Sequence, residues 1–154
     1  MTLNRREICW VLPGLLPLAA GVAAFAQEPP APAKSLPSGA FQFDKLPLHI
    51  SDTKAEIRWV MRGKLATGEG IEVHETTLQP GNSSTVHTHH HAHSEMWLVR
   101  EGTIELTVNG KTYQLTPGSV GFARSNDEHG IKNIGSGPAV YFLVAIGPGA
   151  ELQT

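Results

Sequence analysis

One segment dominates the sequence: His87-Thr88-His89-His90-His91-Ala92-His93-Ser94-Glu95. It holds five of the chain's eight histidines, and a glutamate follows the last of them two positions later. Side chains two positions apart on an extended strand point to the same face, so the odd-numbered histidines and Glu95 can converge while His90 is out of phase. Neutral imidazoles with a carboxylate suit a first-row divalent metal better than a thiolate site would. The segment therefore predicts a metal site on a β-scaffold.

Alternating apolar and polar residues continue on both sides of this segment. Upstream, the alternation predicts strands from Glu56 and from Ile71, with a glycine-rich turn at residues 68–70 between them. Downstream, Asn109-Gly110 joins two alternating runs and predicts a two-residue type I′ hairpin. Many short strands with Gly and Pro turns, and no helix of three turns, predict an all-β sandwich or barrel.

Three polar residues on the strand from Ile71 receive ordinary interpretations. His74 follows Val73 in the alternation and is predicted to lie on the exterior of the strand. Glu72 and Glu75 are predicted to be ordinary strand charges. None of the three is a predicted site residue.

Residues 1–26 are predicted to be a secretory signal peptide. The arginines at positions 5 and 6 supply a positive region, an apolar run follows, and residues 24–26 form a small-x-small cleavage site. The paired arginines also resemble a twin-arginine signal, so Sec and Tat export both stay open. We expect an exported protein, periplasmic or secreted, with no stable membrane anchor after cleavage. An anchor that is never cleaved is the alternative.

Composition limits what the remaining chain can be. The one cysteine, Cys9, lies inside the predicted signal, so the mature chain should contain neither a disulfide nor a thiol nucleophile. The formal net charge is −2 at pH 7, without a basic run, which gives no reason to expect a nucleic-acid partner. Residues 27–45 are predicted to be a Pro/Ala-rich linker and N-terminal arm, and residues 46–154 one domain.

Two motifs resemble those of the cupin superfamily, whose small type-2-like members are single jelly-roll barrels, also called double-stranded β-helices. The matching residues are His89-x-His91-x3-Glu95-x6-Gly102 in the first motif and His129-x3-Asn133 in the second. The similarity spans roughly residues 68–147. It implies that residues 46–154 are a cupin domain.

The same resemblance implies a set of metal ligands: His89, His91, Glu95 and His129. They would hold one divalent transition metal (Fe, Mn, Ni, Cu or Zn) and leave one or two positions for water, substrate or O₂. Glu95 is implied as a ligand or general base, and His93 as a neighbouring proton-transfer group. Gly81 fits the family's opening glycine only if His87-x-His89 is the ligand pair, so His87 stays open as an alternative ligand.

The second motif departs from the family pattern in the turn before His129. Arg124-x-Asn126 stands where the family has Pro-x-Gly. Asparagine adopts left-handed backbone more readily than other non-glycine residues, so we expect this turn to survive. Asn133 is expected to hold a backbone turn or a water.

These features predict an exported mononuclear metal-binding cupin that is an enzyme acting on a small-molecule substrate. A dioxygenase-like oxidation is favoured. The alternatives are a non-catalytic module that binds a metal and a small ligand, and a metal-assisted sugar isomerase or epimerase. The interior candidates, which favour an apolar substrate, are Met96, Trp97, Val99, Phe122 and Ile131. Edge strands and the N-terminal arm make a homodimer the expected assembly.

Overall fold

A computed structural model describes residues 35–84 and 89–152. Within these residues the chain forms nine strands: β1 (Leu48–Ile50), β2 (Glu56–Lys64), β3 (Gly70–Leu78), β4 (Ser94–Glu101), β5 (Ile104–Val108), β6 (Lys111–Leu115), β7 (Val120–Ala123), β8 (His129–Asn133) and β9 (Ala139–Gly147). Single 3₁₀ turns are formed by Phe43–Lys45 and Ala150–Leu152.

The strands form two antiparallel sheets. The larger has the order β1-β2-β3-β9-β4-β7, and the smaller has the order β6-β5-β8. The core between them takes buried side chains from both, among them Leu78, Trp97, Ile104, Leu106, Ile131 and Tyr141. This confirms the predicted all-β jelly roll.

The tightest predicted turn is confirmed. Asn109 and Gly110 have φ values of 48° and 76°, as a type I′ turn requires, and Val108 pairs with Lys111 across it. The hairpin joins β5 to β6, and β5 also pairs with β8, where His129 is opposite Val108. The hairpin thus lies beside the strand that carries the second motif.

The predicted interior position of Phe122 is wrong. Its side chain is 56% exposed, whereas Gly121 and Ala123 are the buried residues of β7. A Cβ at Gly121 would come within 2.8 Å of the side chains of Leu106 and Leu115, so the inner face of β7 admits only small residues. Phe122 pairs with Met96, which is half-buried, on the outer face of the larger sheet.

The predicted signal peptide, residues 1–26, lies outside the described residues. Of the predicted linker and arm, residues 35–45 are described, and the Leu36 amide donates a hydrogen bond of 2.8 Å to the Lys64 carbonyl oxygen. In the part of the chain that the structure describes, no helix has the length and apolar character needed to cross a membrane.

Gly102→Ala is expected to destabilise the protein more than Gly118→Ala. Both glycines have positive φ, so either substitution should cost about 1–2 kcal/mol of left-handed strain. At Gly102 a Cβ would also come within 2.5 Å of the Pro138 carbonyl oxygen and 2.7 Å of the Ala139 Cα, whereas at Gly118 nothing lies within 4 Å. Such overlap should add about 1–3 kcal/mol in urea unfolding. Equal losses for the two variants would contradict this close backbone approach.

Candidate metal centre

A backbone bridge brings the two motifs together. The His89 amide donates to the His129 carbonyl oxygen at 2.9 Å, and the His129 amide donates to the His89 carbonyl oxygen at 2.7 Å. His89 and His91 precede β4, Glu95 lies within it, and His129 begins β8. The bridge therefore fixes the histidine segment against the smaller sheet.

The loop before His129 makes a second set of hydrogen bonds to the histidine segment. Asn126 has φ 64°, and its amide donates to the His91 carbonyl oxygen at 2.7 Å. The Ser125 hydroxyl donates to the Ala92 carbonyl oxygen, also at 2.7 Å. The left-handed turn expected at Asn126 is thus confirmed, and it joins the loop to the metal-site segment.

Four side chains converge in this region: His89, His91, Glu95 and His129. One nitrogen or oxygen atom from each lies within 4.8 Å of those of the others. His91 Nε2 is 3.5 Å from Glu95 Oε1, and His129 Nε2 is 3.1 Å from Glu95 Oε2. Glu95 and His129 are buried, while His89 and His91 are half-buried. Three imidazoles and one carboxylate so arranged could hold a metal ion.

The tautomer of His129 indicates whether the site suits a bound cation. Its Nδ1 lies 2.9 Å from the Asp127 carbonyl oxygen, and a carbonyl can only accept, so Nδ1 carries the proton. In the neutral ring, Nε2 then presents a lone pair to the Glu95 carboxylate, and this buried nitrogen has no hydrogen-bond partner. Two electron-pair donors 3.1 Å apart require a cation between them, either a proton or a metal. The residues fit a metal.

The electrostatics agree with that reading. Burial alone would raise the pKa of Glu95, but the neighbouring His129, His91 and His93 outweigh it and hold that pKa below its ordinary range. Burial likewise opposes charge on His129, yet Glu95 and Asp127 raise its pKa. The pKa of His91 is lowered, chiefly by burial. The carboxylate is thus kept ionised and His91 neutral, as metal ligands must be. On His129, a metal would replace the proton that the raised pKa favours.

The structure describes His93, the predicted proton-transfer group, but not His87, the alternative ligand. His93 is 4% exposed, its Nε2 lies 3.2 Å from Glu95 Oε1, and its ring stacks on His91 at 4.6 Å between centroids. It is therefore placed beside the cluster, where a proton-transfer group was predicted. His87 lies outside the described residues, and its role as an alternative ligand stays a prediction.

A cavity of about 420 Å³ opens beside the cluster. Trp97 forms part of its wall, with its ring centroid 5.3 Å from that of His129, as the interior prediction for Trp97 required. Another part of the wall carries Trp59, Arg62, Glu72 and His74. The cavity is therefore lined by both aromatic and charged side chains.

The predicted exterior position of His74 is wrong, and Glu72 and Glu75 are not the ordinary strand charges that we predicted. All three are buried, and His74 and Glu72 face the cavity because the even-numbered residues of β3 point inwards. Glu75 lies on the other face of β3, where Arg100 Nη1 contacts its Oε2 at 2.7 Å. Leu78 shares their even parity and is fully buried, but the apolar Ile71 and Val73 have odd parity, so alternation along β3 does not identify the inward face.

The described residues thus form an antiparallel jelly roll in which a three-histidine, one-carboxylate cluster, able to hold a metal ion, lies beside an internal cavity. Residues 74–146 match the family described as Cupin domain. The jelly-roll fold of the described residues agrees with this match.

Similarity to a curated protein covers part of the chain. Over 85 residues the sequence is 38% identical to L-ectoine synthase of Bordetella parapertussis (strain 12822 / ATCC BAA-587 / NCTC 13253). The aligned stretch covers 52% of this chain. The match spans 65% of the length of that relative.

Solved structures share the fold. The cupin domain of Schizosaccharomyces pombe Cnp3 superposes with a TM-score of 0.59 at 14% identity, covering 70% of this chain and 73% of that one. An RmlC-like cupin from Shewanella frigidimarina NCIMB 400 also gives 0.59, at 16% identity, covering 75% and 97%. At these identities the likeness shows the fold alone.

In metal-free protein, the Glu95–His129 pair should stabilise the fold most between the two ordinary pKa values, 4.5 and 6.5. The Glu95 contribution is present above 4.5 and is lost as pH falls through its lowered folded pKa. The His129 contribution is present below 6.5 and is lost as pH rises through its raised folded pKa. With a chelator present, thermal unfolding should show Glu95→Gln most destabilising between pH 4.5 and 6.5 and progressively less destabilising as the pH rises through the raised pKa of His129. A pH-independent difference would contradict the pairing.

Proposed function

We propose that this protein is a mononuclear metal-dependent enzyme that acts on a small organic substrate inside the barrel. The observation that carries the proposal is the convergence of His89, His91 and His129 on Glu95 at the wall of the cavity, with His129 Nε2 3.1 Å from the carboxylate. A cavity of about 420 Å³ is within the range that small-molecule sites occupy.

His89, His91, Glu95 and His129 would hold the metal. A bound divalent transition metal supplies Lewis acidity or one-electron chemistry at such a site. The Asp127 carbonyl keeps the proton of His129 on Nδ1, and therefore directs Nε2 at the cluster. His93 Nε2 lies 3.2 Å from Glu95 Oε1, close enough to receive a proton that this carboxylate has accepted from a substrate, or to return one.

Among reaction classes we place a dioxygenase-like oxidation first. Histidine and carboxylate ligands with open positions are typical of non-haem oxygenases, and Trp97, Tyr141 and Leu143 form a largely apolar side of the cavity. A metal-assisted isomerisation or epimerisation is the second candidate. The buried His93–Glu95 pair, a ready proton-transfer couple, favours it.

The experiment uses the full chain, expressed with its own N-terminal region and purified without an affinity tag or chelator. Metal-loaded protein is incubated with a panel of small acids, phenols and sugars, while substrate loss is followed by NMR and O₂ by an electrode. Substrate loss with matching O₂ uptake supports oxidation, and loss without uptake supports isomerisation. Glu95→Gln should abolish either. Saturable binding without turnover across the panel would overturn the enzyme in favour of a binding module.

We propose further that the protein is exported, to the periplasm or beyond the cell. The support is the charged, apolar and small-residue order of residues 1–26. Fractionation of cells producing the full chain should recover it outside the cytoplasm, shortened by about 26 residues in mass spectrometry. Recovery of an unshortened cytoplasmic chain would contradict export.

A homodimer is the proposed assembly. β7 is an edge strand of the larger sheet, and the outer face there exposes Leu98, Val120 and Phe122. Neighbouring apolar side chains on an edge favour burial against a second copy. Sedimentation of wild type and Phe122→Glu should show a dimer that the charge dissociates. A monomeric wild type would contradict the assembly.

A further inference from the structure

We propose that Arg62, Glu72 and His74 form a recognition site that binds the hydrogen-bond-donating end of a small anionic ligand. This cluster, the distal site, lies in the same cavity as the metal ligands. The inference rests on the proposed function, because the anionic end of the ligand is assigned to the metal cluster. It adds the substrate class: a short organic acid with a hydroxyl or amide N–H at its far end.

The distal site is built from buried charge. Glu72 is 1% exposed and His74 is 9% exposed, although both line the cavity. Arg62 Nη2 lies 2.8 Å from Glu72 Oε2, and His74 Nδ1 lies 3.4 Å from Glu72 Oε1. Burying a carboxylate is costly unless it is paired and hydrogen-bonded, so this glutamate needs each of its partners.

The site retains hydrogen-bonding capacity. Glu72 Oε2 and His74 Nδ1 are both buried without a hydrogen-bond partner. The Arg62 guanidinium, close to Glu72 Oε2, balances the charge of the carboxylate. Buried polar atoms are nearly always satisfied, and a purely structural ion pair would satisfy these two. Both residues line the cavity, and a rotation of the Glu72 carboxylate towards it would let a ligand supply the missing hydrogen bond.

The strand register puts the distal site and the metal cluster in one row. Glu72 on β3 is opposite Ala145 on β9, and Ala145 is opposite Glu95 on β4. Paired residues point to the same face, so both carboxylates face the cavity at two strand spacings, roughly 9–10 Å between backbones. The residue between them contributes a single methyl group. A short chain molecule can therefore reach from one carboxylate to the other.

Aromatic packing holds the distal site in place. The Arg62 guanidinium lies 3.8 Å from the Trp59 ring centroid, and the His74 ring meets the same indole edge-on at 4.9 Å. A guanidinium stacked on an indole loses little further freedom when a ligand arrives. The site is thus prepared before binding.

The charges at the distal site and at the metal cluster indicate which chemical groups the two ends of the ligand should carry. An ionised carboxylate only accepts hydrogen bonds, so Glu72 requires a donor, and Arg62 already balances its charge. A neutral hydroxyl or amide N–H therefore suits the distal site better than an ammonium. At the other end, a divalent ion with one carboxylate and three neutral imidazoles carries net positive charge and favours an anion. The two ends together describe an ω-hydroxy or ω-amido acid.

The test compares two acids that differ by one hydroxyl. Full-length protein loaded with Zn²⁺ is titrated calorimetrically with 5-hydroxypentanoate and with pentanoate. The wild type should bind the hydroxy acid about tenfold or more tightly, as expected for a hydrogen bond to a charged group. Glu72→Leu, which keeps the volume but not the acceptor, should remove the preference. Glu75→Leu is the matched control, since that equally buried carboxylate lies on the other face of β3.

The outcomes separate the distal site from the proposed function. Equal affinity for the two acids in the wild type, absence of binding by either, or a preference that survives Glu72→Leu would each overturn the distal site. Should Glu72→Leu not fold, Glu72→Gln is used, and it should reduce the preference without altering Zn²⁺ stoichiometry. A clear preference in a protein that turns over nothing would refute the enzyme and leave the distal site standing.

Discussion

His129→Ala is expected to weaken metal binding by more than about 100-fold, since even residues that only support a metal ligand cost 10–100-fold when changed. The tautomer of the His129 ring is fixed by the Asp127 carbonyl oxygen, and the residue is 2% exposed. Its removal also leaves the buried Glu95 carboxylate without its shortest contact, at 3.1 Å. Calorimetric titration of chelator-stripped protein with Zn²⁺ or Mn²⁺ measures the loss.

The matched control for that prediction is His90→Ala. His90 belongs to the same histidine run, but it is exposed and lies outside the converging group. Its removal should leave affinity and one-to-one stoichiometry unchanged. If His90→Ala weakened binding and His129→Ala did not, the ion would be held by the exposed histidine run rather than by the barrel.

Trp97→Ala is expected to cost about 3–5 kcal/mol of unfolding free energy, the usual range for emptying a fully buried large aromatic position. The indole is 1% exposed, and it sits opposite Gly121, whose missing side chain gives it room. Urea unfolding of metal-free protein measures the change. The metal affinity should fall as well, because the ring packs 5.3 Å from that of His129.

Trp59→Ala is the comparison for that substitution. Trp59 also lines the cavity, but it is only half-buried, and its main contacts are Arg62 and His74. Its loss should cost clearly less, at about 2 kcal/mol or below, and should leave metal affinity near that of the wild type. Similar unfolding losses for both variants would show that Trp97 is not the central packing residue.

Local signals were enough to predict much of this fold. The Asn109-Gly110 hairpin follows from backbone preferences of two adjacent residues, and the structure has it as predicted. The left-handed turn at Asn126 was predicted for the same reason. The structure brings together the four residues that the resemblance implies. His89, His91 and Glu95 are close in the chain, and the second motif supplies His129.

The charged part of the cavity could not be predicted from alternation. A β-bulge between Trp59 and Met61 reverses the parity of β2. As a result Trp59 and Arg62 both face the cavity, although they are three positions apart in the chain. On β3 the apolar residues Ile71 and Val73 point outwards, while Glu72 and His74 point into the barrel. Such inward charges are stable only when partners from neighbouring strands meet them. Those partners depend on register, which no single strand reveals.

The exposure of Phe122 has a related cause. Alternation alone cannot tell which face of a short strand is the inner one, and size suggested the phenylalanine. The inner face of β7 is closed by the side chains of Leu106 and Leu115, which leave space only for Gly121. Packing against the smaller sheet therefore determines which face of β7 is buried.

The most direct test of the metal centre is a crystal structure of the full-length protein, purified without chelator, with anomalous diffraction at the edge of the metal it carries. We predict a single anomalous peak per chain, about 2.0–2.2 Å from a nitrogen of each of the three histidines and from an oxygen of Glu95. A peak at the exposed histidine run, or one that does not touch both Glu95 and His129, would contradict the assignment of the barrel as the metal-binding site.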